Sequence, residues 1–472
     1  MCHHDGARAR ATPPDDDGRA PGLQVTVTQR HPEPAWVEHV MWWHLYPLGF
    51  LGAPIRPDDD PTTRPVEHRL ERLEPWLDHL IDLGLNGLAL GPIFASSTHG
   101  YDTVEHHRID PRLGDDADFD RLVAACRERG IRLLLDGVFN HVGRAHPAFR
   151  DVEADGPASA SAELFRIDSD DRRPGDPVRA DVFEGHESLV ALDHTSPAVE
   201  DLVVDVMTTW LDRGADGWRL DAAYAVDPAF WGRVLPRVRE RHPDAWFSGE
   251  VIHGDGAAIV ATSTMDSLTQ YELWQGIWHA IADRNLFELA HAIGRHDALL
   301  DTYVPTTFIG NHDVTRIATA IGPEFVPHAL AVLFTVAGTP MLYAGDELAF
   351  EGVKEERLGG DDAVRPEFPP NAPADAELAP DARRVLDATR TLVALRRRHP
   401  WLHTARTEVE HLTNTSLALR TATDTDALVT VINLGDDELA IEGLRASTVG
   451  AGDARLDGAT VAIAPRGWAV LR

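Results

Sequence analysis

The stretch DFDRLVAACRERGIRLLLDGVF, residues 118–139, contains one complete helix-to-strand transition. In its first half, apolar residues recur at three- and four-residue spacing, which predicts a helix with one apolar face. A glycine then stands where helices commonly end. The apolar run that follows is typical of a strand buried on both faces of a parallel sheet. The apolar residues of the helix are Phe119, Leu122, Val123 and Cys126.

The same unit recurs along the chain. A helical pattern from Leu70 to Ile81 ends near Gly84 and precedes NGLALGPIF, and another from Val199 to Leu211 ends near Gly214 and precedes DGWRLD. About eight strand candidates alternate with helical patterns in this way, which predicts an α/β fold of the closed (β/α)8 barrel type. An open, doubly wound sheet is the alternative. The other candidates are VMWWHLYPLGF, IRLLLDGVF, AWFSGEVI, SLTQYEL, TTFIGNHD and PMLYAGDE.

Composition changes divide the chain into further parts. Residues 1–35 are rich in Pro, Asp, Gly and Arg, which predicts a flexible leader. We expect the barrel over residues 36–400, interrupted after its third strand by an inserted domain at about 142–190, because that irregular segment is too long for an ordinary connection. From 401 to 472 apolar and polar residues alternate between Asp and Gly turns, which predicts a separate antiparallel β-sandwich domain.

Charge and composition exclude several classes of protein. The net charge of −32 opposes binding to nucleic acid, which depends on Lys and Arg, and to anionic membranes. No run of apolar residues has the length of a signal core or a membrane span, so we expect a cytoplasmic protein. The two cysteines do not predict a disulfide framework. The sequence leaves the oligomeric state open.

The strand DGWRLD places a cation and an acid on one face. Residues two apart in a strand point the same way, so Arg219 and Asp221 would lie together while Leu220 points to the opposite face. At the C-terminal mouth of a barrel, Arg219 would keep Asp221 ionised and oriented, as a nucleophile requires. The pair alone is also compatible with a purely structural ion pair.

Further acids stand at the ends of other predicted strands. Glu250 follows FSG, Asp313 follows FIGNH, and DGVFNH contributes Asp136 with Asn140 and His141. Active sites of (β/α)8 barrels form where the C-terminal ends of the strands meet. We therefore expect these side chains to converge on one site.

In content and order, these motifs resemble those of the α-amylase superfamily, glycoside hydrolase family 13. DGVFNH is similar to its third-strand motif, GWRLD to its nucleophile strand, GE in SGEV to its acid strand, and NHD in IGNHD to the strand of its third carboxylate. AGTPMLYAGDE resembles the eighth strand, and HGYD and DTVEHHRIDPRLG also fit. The resemblance extends from about residue 36 to 350 and includes the barrel fold.

The resemblance implies three catalytic residues. Asp221 is expected to be the nucleophile, Glu250 the general acid and base, and Asp313 a carboxylate that holds the sugar hydroxyls beside the reacting carbon. A retaining glycosidase needs two carboxyl groups about 5 to 5.5 Å apart, one ionised and one protonated. The negative charges of Asp221 and Asp313 would help Glu250 keep its proton.

The resemblance also implies residues that bind the substrate. His141 and His312 would donate hydrogen bonds to the sugar, Tyr101 would stack on its ring, and Arg219 would orient the nucleophile. Asp102 resembles an aspartate that, in oligosaccharide-acting members of the family, pairs with an arginine from the loop after strand eight. Arg365 is the candidate partner, and such a pair would favour short substrates cut from an end.

The motifs also predict which cofactors and reactions to expect. In calcium-dependent endo-acting members a Lys-His pair continues the nucleophile strand, whereas Tyr224 and Ala225 stand here. Although Asn140 matches one calcium ligand, we predict that no metal is required. The expected activity is retaining hydrolysis of α-glucosidic bonds in oligosaccharides or short α-glucans. The alternatives are a transglycosidase or isomerase and, more remotely, a catalytically silent carbohydrate-binding barrel.

Overall fold

The computed structural model describes residues 32–168, 178–444, 446–458 and 460–472. The predicted leader lies outside these residues except for its last four. Among those four, Glu33 contacts His403 Nε2 at 2.7 Å and accepts a hydrogen bond from Trp246 Nε1 at 3.3 Å. Throughout the described ranges, every helix is too short or too polar to span a lipid bilayer.

Eight parallel strands form the central sheet. Their order is β6-β5-β4-β3-β2-β1-β8-β7, and a parallel bridge between Thr269 and Thr306 joins the two ends. The predicted barrel is therefore confirmed, and the open-sheet alternative is wrong. The strands are β1 Trp42–Leu45, β2 Gly87–Leu90, β3 Arg132–Gly137, β4 Gly217–Leu220, β5 Trp246–Gly249, β6 Ser267–Leu268, β7 Thr306–Phe308 and β8 Thr339–Tyr343.

The helices surround the sheet and end largely as predicted. α2 and α5 each stop at a glycine in the left-handed conformation, Gly84 and Gly214. Ile81, expected on the apolar face of α2, is instead 39% exposed. The helices are α1 Pro47–Phe50, α2 Glu74–Leu83, α3 Asp116–Glu128, α4 Pro147–Asp155, α5 Pro197–Arg213, α6 Pro228–Arg241, α7 Gly256–Ser263, α8 Tyr271–Ala282, α9 Leu286–Leu299, α10 Ile317–Ile321, α11 Val326–Thr335 and α12 Pro380–Arg398.

Two excursions above the barrel carry candidate site residues. After β2, Phe94–Ser96 pairs with Thr103–Ile109 in an antiparallel hairpin whose turn holds Tyr101 and Asp102. After β3, the strands His141–Gly143 and Leu189–Ala191 pair and close the base of a long insertion that contains α4. Part of this insertion, residues 169–177, lies outside the described residues.

The C-terminal region forms two antiparallel sheets. A five-stranded sheet has the order β9-β10-β11-β16-β13, and a three-stranded sheet has the order β12-β15-β14. Val429 and Val431 of the first sheet share a core with Val461 and Ile463 of the second. The strands are β9 Arg406–Leu412, β10 Ser416–Ala422, β11 Ala427–Asn433, β12 Leu439–Glu442, β13 Val449–Gly452, β14 Ala454–Asp457, β15 Thr460–Ile463 and β16 Trp468–Leu471.

The opposite face of the five-stranded sheet packs on the barrel. Its strands contact α9, α11 and α12, and Leu419, Leu428 and Val470 belong to the same buried cluster as the barrel core. The barrel and the C-terminal sheet therefore share one continuous core.

Candidate active site

Strand register places the central acids side by side. Arg219 of β4 is paired in register with Asp136 of β3, and the last registered pair between β4 and β5 is Leu220 with Gly249. The next residues are Asp221 and Glu250, and the Glu250 N–H donates to the carbonyl of Leu220 at 2.9 Å. Since neighbouring strands lie about 4.8 Å apart, the backbones of these two acids are direct neighbours.

The guanidinium of Arg219 contacts three carboxylates. Nη1 donates to both oxygens of Asp136, at 2.7 and 2.8 Å, and to Asp221 Oδ1 at 3.2 Å. Nη2 lies 2.8 Å from Glu250 Oε1. The sequence predicted the contact with Asp221, but the contact with Asp136 is shorter and the contact with Glu250 was not foreseen. One buried cation therefore orients both proposed catalytic acids.

The electrostatics of Asp221 differ from the prediction that Arg219 simply keeps it ionised. Burial and then the neighbouring Glu250 raise the pKa of Asp221 well above its ordinary value, and Arg219 opposes this only in part. Burial likewise raises the pKa of Asp136 to about 6, again against the effect of Arg219. The free site therefore retains a proton to a higher pH than an exposed aspartate does.

Glu250 is held by hydrogen-bond donors from three directions. Besides Arg219, the N–H of Ala222 donates to Oε2 at 3.0 Å and the hydroxyl of Tyr271 donates to Oε1 at 3.1 Å. Asn311 Nδ2 in turn donates to the Tyr271 hydroxyl at 3.0 Å. These contacts fix the carboxyl group in one orientation.

Asp313 approaches the same site from the loop after β7. Its Oδ2 lies 3.0 Å from His312 Nε2, and 35% of its side chain is exposed, against 10% for Asp221. It therefore faces the opening of the site. Burial and the nearby Arg365 lower the pKa of His312 well below its ordinary value, so the ring is neutral.

Tyr101 connects the two halves of the site. Its hydroxyl donates to Asp136 Oδ2 at 3.3 Å and contacts His312 Nε2, while its ring lies parallel to the His312 ring with centroids 5.5 Å apart. The ring is half-buried. Stacking of Tyr101 on a sugar stays a prediction.

The predicted pair between Asp102 and Arg365 is wrong. Asp102 accepts hydrogen bonds from the N–H and hydroxyl of Thr98, at 3.0 and 2.7 Å. Arg365 Nη2 instead lies 2.6 Å from Asp313 and 3.2 Å from Asp361. Each charge thus finds a partner within its own loop or at the site, and Arg365 orients Asp313 rather than closing the site through Asp102.

His141 is placed differently from the prediction. Its Nε2 donates to the carbonyl of Tyr101 at 2.9 Å, and its Nδ1 accepts from Asn140 Nδ2 at 3.0 Å. Burial lowers the pKa of His141 to about 4, so the ring is neutral and has no N–H left for a sugar. In this structure His141 supports the Tyr101 loop, while its ring stacks on Phe183.

The surroundings of Asn140 do not fit a calcium ion. Calcium requires about six to eight oxygen ligands. The cavity of about 470 Å³ beside Asn140 is lined by two guanidinium groups, those of Arg166 and Arg233. Arg166 pairs with Asp193 at 3.1 Å and Arg233 with Glu200 at 2.5 Å, so arginines already occupy two of the nearby acids that a cation would need.

Sequence reasoning missed two residues of the site, Tyr271 and Asn311. It expected a third, Asp136 of DGVFNH, at the site but gave it no role. Tyr271 was placed inside a predicted strand, SLTQYEL, whereas β6 contains two residues and Tyr271 begins α8. Proximity to the C-terminal end of a barrel strand is a signal that singles out all three.

Comparison with known proteins agrees with this geometry. A family model described as the α-amylase catalytic domain matches residues 73–380. This chain belongs to the α-amylase family. The match contains strands β2 to β8 and every proposed site residue from Tyr101 to Arg365, which confirms the resemblance seen in the sequence.

Several named proteins are similar to this chain. Cyclomaltodextrinase of Geobacillus thermopakistaniensis is 32% identical over 339 residues, covering 68% of this chain and 57% of the relative. Neopullulanase 2 of Thermoactinomyces vulgaris is 31% identical, with coverages of 68% and 58%. The chain thus spans less than two thirds of the length of these relatives. Cyclic α-maltosyl-(1→6)-maltose hydrolase of Arthrobacter globiformis has a TM-score of 0.77, with 27% identity and coverages of 93% and 99%.

Proposed function

We propose that the protein is a retaining glycoside hydrolase that cleaves α-glucosidic bonds in oligosaccharides or short α-glucans. The observation that carries this proposal is the guanidinium of Arg219, which contacts Asp221 and Glu250 at the ends of adjacent strands. Two carboxyl groups held together in this way are the minimum that retaining hydrolysis requires. Relatives named cyclomaltodextrinase and neopullulanase support the substrate class.

In the first step the protonated Glu250 donates its proton to the glycosidic oxygen. The bond between the anomeric carbon and that oxygen breaks as a carboxylate oxygen of Asp221 attacks the same carbon. Arg219 favours this attack because it stabilises the anionic form of Asp221. The product of the step is a glucosyl ester of Asp221 and a free leaving group.

In the second step water replaces the leaving group. Glu250, now ionised, accepts a proton from the water, the water oxygen bonds to the anomeric carbon, and the ester bond to Asp221 breaks. Two inversions give net retention. Asp313 accepts hydrogen bonds from sugar hydroxyls during both steps, and Arg365 holds it in place at 2.6 Å.

Substitution of the two acids tests this assignment. Glu250→Gln is expected to lower kcat by about 10²- to 10⁴-fold, the usual contribution of a general acid. Asp221→Asn is expected to reduce turnover by orders of magnitude while leaving the fold intact. Release of glucose from maltotriose measures both, with Asp424→Asn, an exposed acid on a C-terminal turn, as the control. Proton NMR of the first product should show the α-anomer, and a first product that is the β-anomer would refute retention.

We further propose that catalysis does not depend on calcium, because Arg166 and Arg233 line the cavity beside Asn140. Dialysis against a chelator is expected to leave the rate of maltotriose hydrolysis within about twofold of the untreated protein, since catalysis would involve no calcium ion that the chelator could remove. A loss of activity that added calcium restores would contradict this proposal.

A further inference from the structure

The loop after β8 carries the only lysine of the chain. The sequence contains 44 Lys and Arg residues, and every one of them except Lys354 is arginine. The two side chains differ, because arginine presents a planar fork of donors whereas lysine is a compact point charge. Lys354 is half-buried, and its ammonium group lies 2.7 Å from Asp361 Oδ1. The chain therefore places its one compact cation beside an acid of this loop.

Asp361 links this lysine to the active site. Its Oδ2 lies 3.2 Å from Arg365 Nη2, and the same nitrogen lies 2.6 Å from Asp313 Oδ1. Arg365 Nε also donates to the carbonyl of His312 at 2.8 Å. Burial is the main cause of the lowered pKa of His312, and the charge of Lys354 adds to that shift. The charged groups thus form a row of alternating sign that ends at the site, in the order Lys354, Asp361, Arg365 and Asp313.

Backbone contacts fix the outer end of this row. The Lys354 N–H donates to Thr315 Oγ1 at 3.1 Å, which ties the loop to the segment that follows β7. Between Lys354 and Asp361 the chain turns back on itself, and the Glu355 N–H donates to the carbonyl of Gly360 at 3.1 Å. A Cβ atom at Gly360 would collide with the carbonyl oxygen of Glu355. The backbone therefore brings the ammonium group and the Asp361 carboxylate together.

Arg365 contacts two carboxylates through one nitrogen. Its side chain is 5% exposed, so water screens these contacts only weakly. Asp361 would compete with Asp313 for this guanidinium if its own charge had no other partner. Lys354 supplies that partner. Consistent with this, Arg365 lies closer to Asp313, at 2.6 Å, than to Asp361, at 3.2 Å.

We propose that Lys354 is a positioning residue: it neutralises Asp361, so that Arg365 remains available to the site. Arg365 then holds Asp313 in one orientation. The role of Asp313 as a carboxylate that binds sugar hydroxyls rests on the proposed function. Loss of the lysine charge therefore loosens the hold on the sugar and leaves the acid and base chemistry in place, so its effect falls mainly on KM.

Removal and replacement of the lysine charge test this role. Lys354→Met should raise KM for maltotriose roughly tenfold and lower kcat by less than about threefold, because Asp221 and Glu250 keep their places. Lys354→Arg restores a cation and should recover most of the loss. Arg357→Met is the matched control, since it removes a cation of the same loop that pairs with Glu355 at 2.5 Å. It should leave KM within about twofold of the parent.

A second substitution separates positioning from a general effect on folding. Adding Asp361→Asn to Lys354→Met removes the carboxylate that competes for Arg365, so KM should return to within about threefold of the parent. Partial unfolding would instead lower the apparent kcat, leave KM unchanged and persist in the double variant. A KM that stays high in the double variant would overturn the proposal, and so would an unchanged KM in Lys354→Met.

The single lysine also gives a readout that does not depend on activity. Protein made with isotopically labelled lysine has one Cε signal in its NMR spectrum, and this signal should shift in Asp361→Asn and stay in place in Arg357→Met. An unshifted signal in Asp361→Asn would overturn the contact on which the proposal depends. A parent chain that releases no glucose from maltotriose would contradict the proposed function, and the NMR signal would then decide by itself whether Lys354 pairs with Asp361.

Discussion

Arg219 shows how one side chain organises several acids. Its planar guanidinium presents two terminal nitrogens to three carboxylates, and a lysine with its single nitrogen cannot do this. Asp221 and Glu250 therefore keep fixed positions relative to one another even though they belong to different strands. Burial of Arg219 and the three carboxyl groups is tolerated because each carboxyl group has at least one hydrogen-bond donor.

Tyr271 provides a prediction at the scale of a single hydroxyl. Tyr271→Phe removes a donor to the Glu250 carboxyl group and leaves the ring in place. A hydrogen bond contributes about 0.5 to 1.5 kcal/mol, so kcat/KM for maltotriose should fall by up to roughly tenfold. Thermal unfolding should change little.

The control for Tyr271 is another buried tyrosine. Tyr303→Phe removes a hydroxyl that lies against Gly256, away from the proposed catalytic acids. It should keep kcat/KM within about twofold of the parent. An equal loss in both variants would mean that the Tyr271 hydroxyl has no special effect on Glu250.

The accuracy of the sequence predictions depends on where a residue stands. Arg219 and Asp221 lie on one face because alternation within a strand is local geometry. The contact of Arg219 with Glu250 depends on the register between two strands 29 residues apart, which periodicity does not specify. The pair of Asp102 with Arg365 failed because both stand in loops, where nearby Thr98 and Asp313 compete for them.

At the scale of the element, the spacing of β4 and β5 determines the site. Gly217 opens β4, and a Cβ atom there would come within 2.2 Å of the backbone oxygen of Trp246 in β5. Backbone cannot move aside as a flexible side chain can. The two strands that end at Asp221 and Glu250 therefore depend on a residue without a side chain.

Gly217→Ala is expected to force β4 and β5 apart. Overpacking of this kind costs about 1 to 3 kcal/mol of the free energy of unfolding. We also expect hydrolysis to fall by more than the loss of folded protein explains, because the displaced strands carry both acids. Urea unfolding and activity for each unit of folded protein measure the two effects.

Gly294→Ala is the matched control. Gly294 lies inside α9, and apart from the backbone of its own helix no atom lies within 4 Å of the added Cβ. Alanine in a helix interior is favoured over glycine by about 1 kcal/mol, so this variant should be more stable and equally active. A stabilised Gly217→Ala would show that β4 and β5 tolerate the extra atom.

At the scale of the whole molecule, repeated helix and strand patterns favoured a barrel but left an open sheet as the alternative, because each unit carries its own periodicity and stop signal but does not specify how the sheet closes. Strand lengths were overestimated where polar residues follow a short buried run, as in TTFIGNHD, of which only Thr306–Phe308 is strand. The docking of the C-terminal sheet on α9, α11 and α12 depends on contacts between residues distant in the chain, which local patterns do not reveal.

A histidine buried in the neutral state makes the free energy of unfolding fall in acid. Burial lowers the pKa of His296 from 6.5 to about 4, although its Nε2 donates to the carbonyl of Ala337. The unfolded chain therefore takes up a proton near pH 6.5 that the folded chain refuses until about pH 4. The stabilisation present above pH 6.5 is lost as the pH falls through this window, by roughly 3 kcal/mol for this residue.

His296→Gln should flatten that dependence. Urea unfolding at pH 7 and pH 4 should show a smaller loss of stability on acidification than in the parent protein, even if the variant is less stable at both. His291→Gln, exposed on the same helix, serves as the control and should retain the parent's dependence. An equal loss of the free energy of unfolding between pH 7 and pH 4 in all three proteins would contradict the assignment to His296.

The continuous packing between barrel and C-terminal sheet constrains how this protein can be re-engineered. Leu419, Leu428 and Val470 fill the same interior as the outer helices of the barrel. A chain truncated after Arg398 would expose that apolar surface to water and is expected to aggregate. A sheet from another protein would need complementary apolar residues on the face that packs on the barrel. The C-terminal sheet is therefore expected to fold as one unit with the barrel and not to be replaceable by an unrelated sheet.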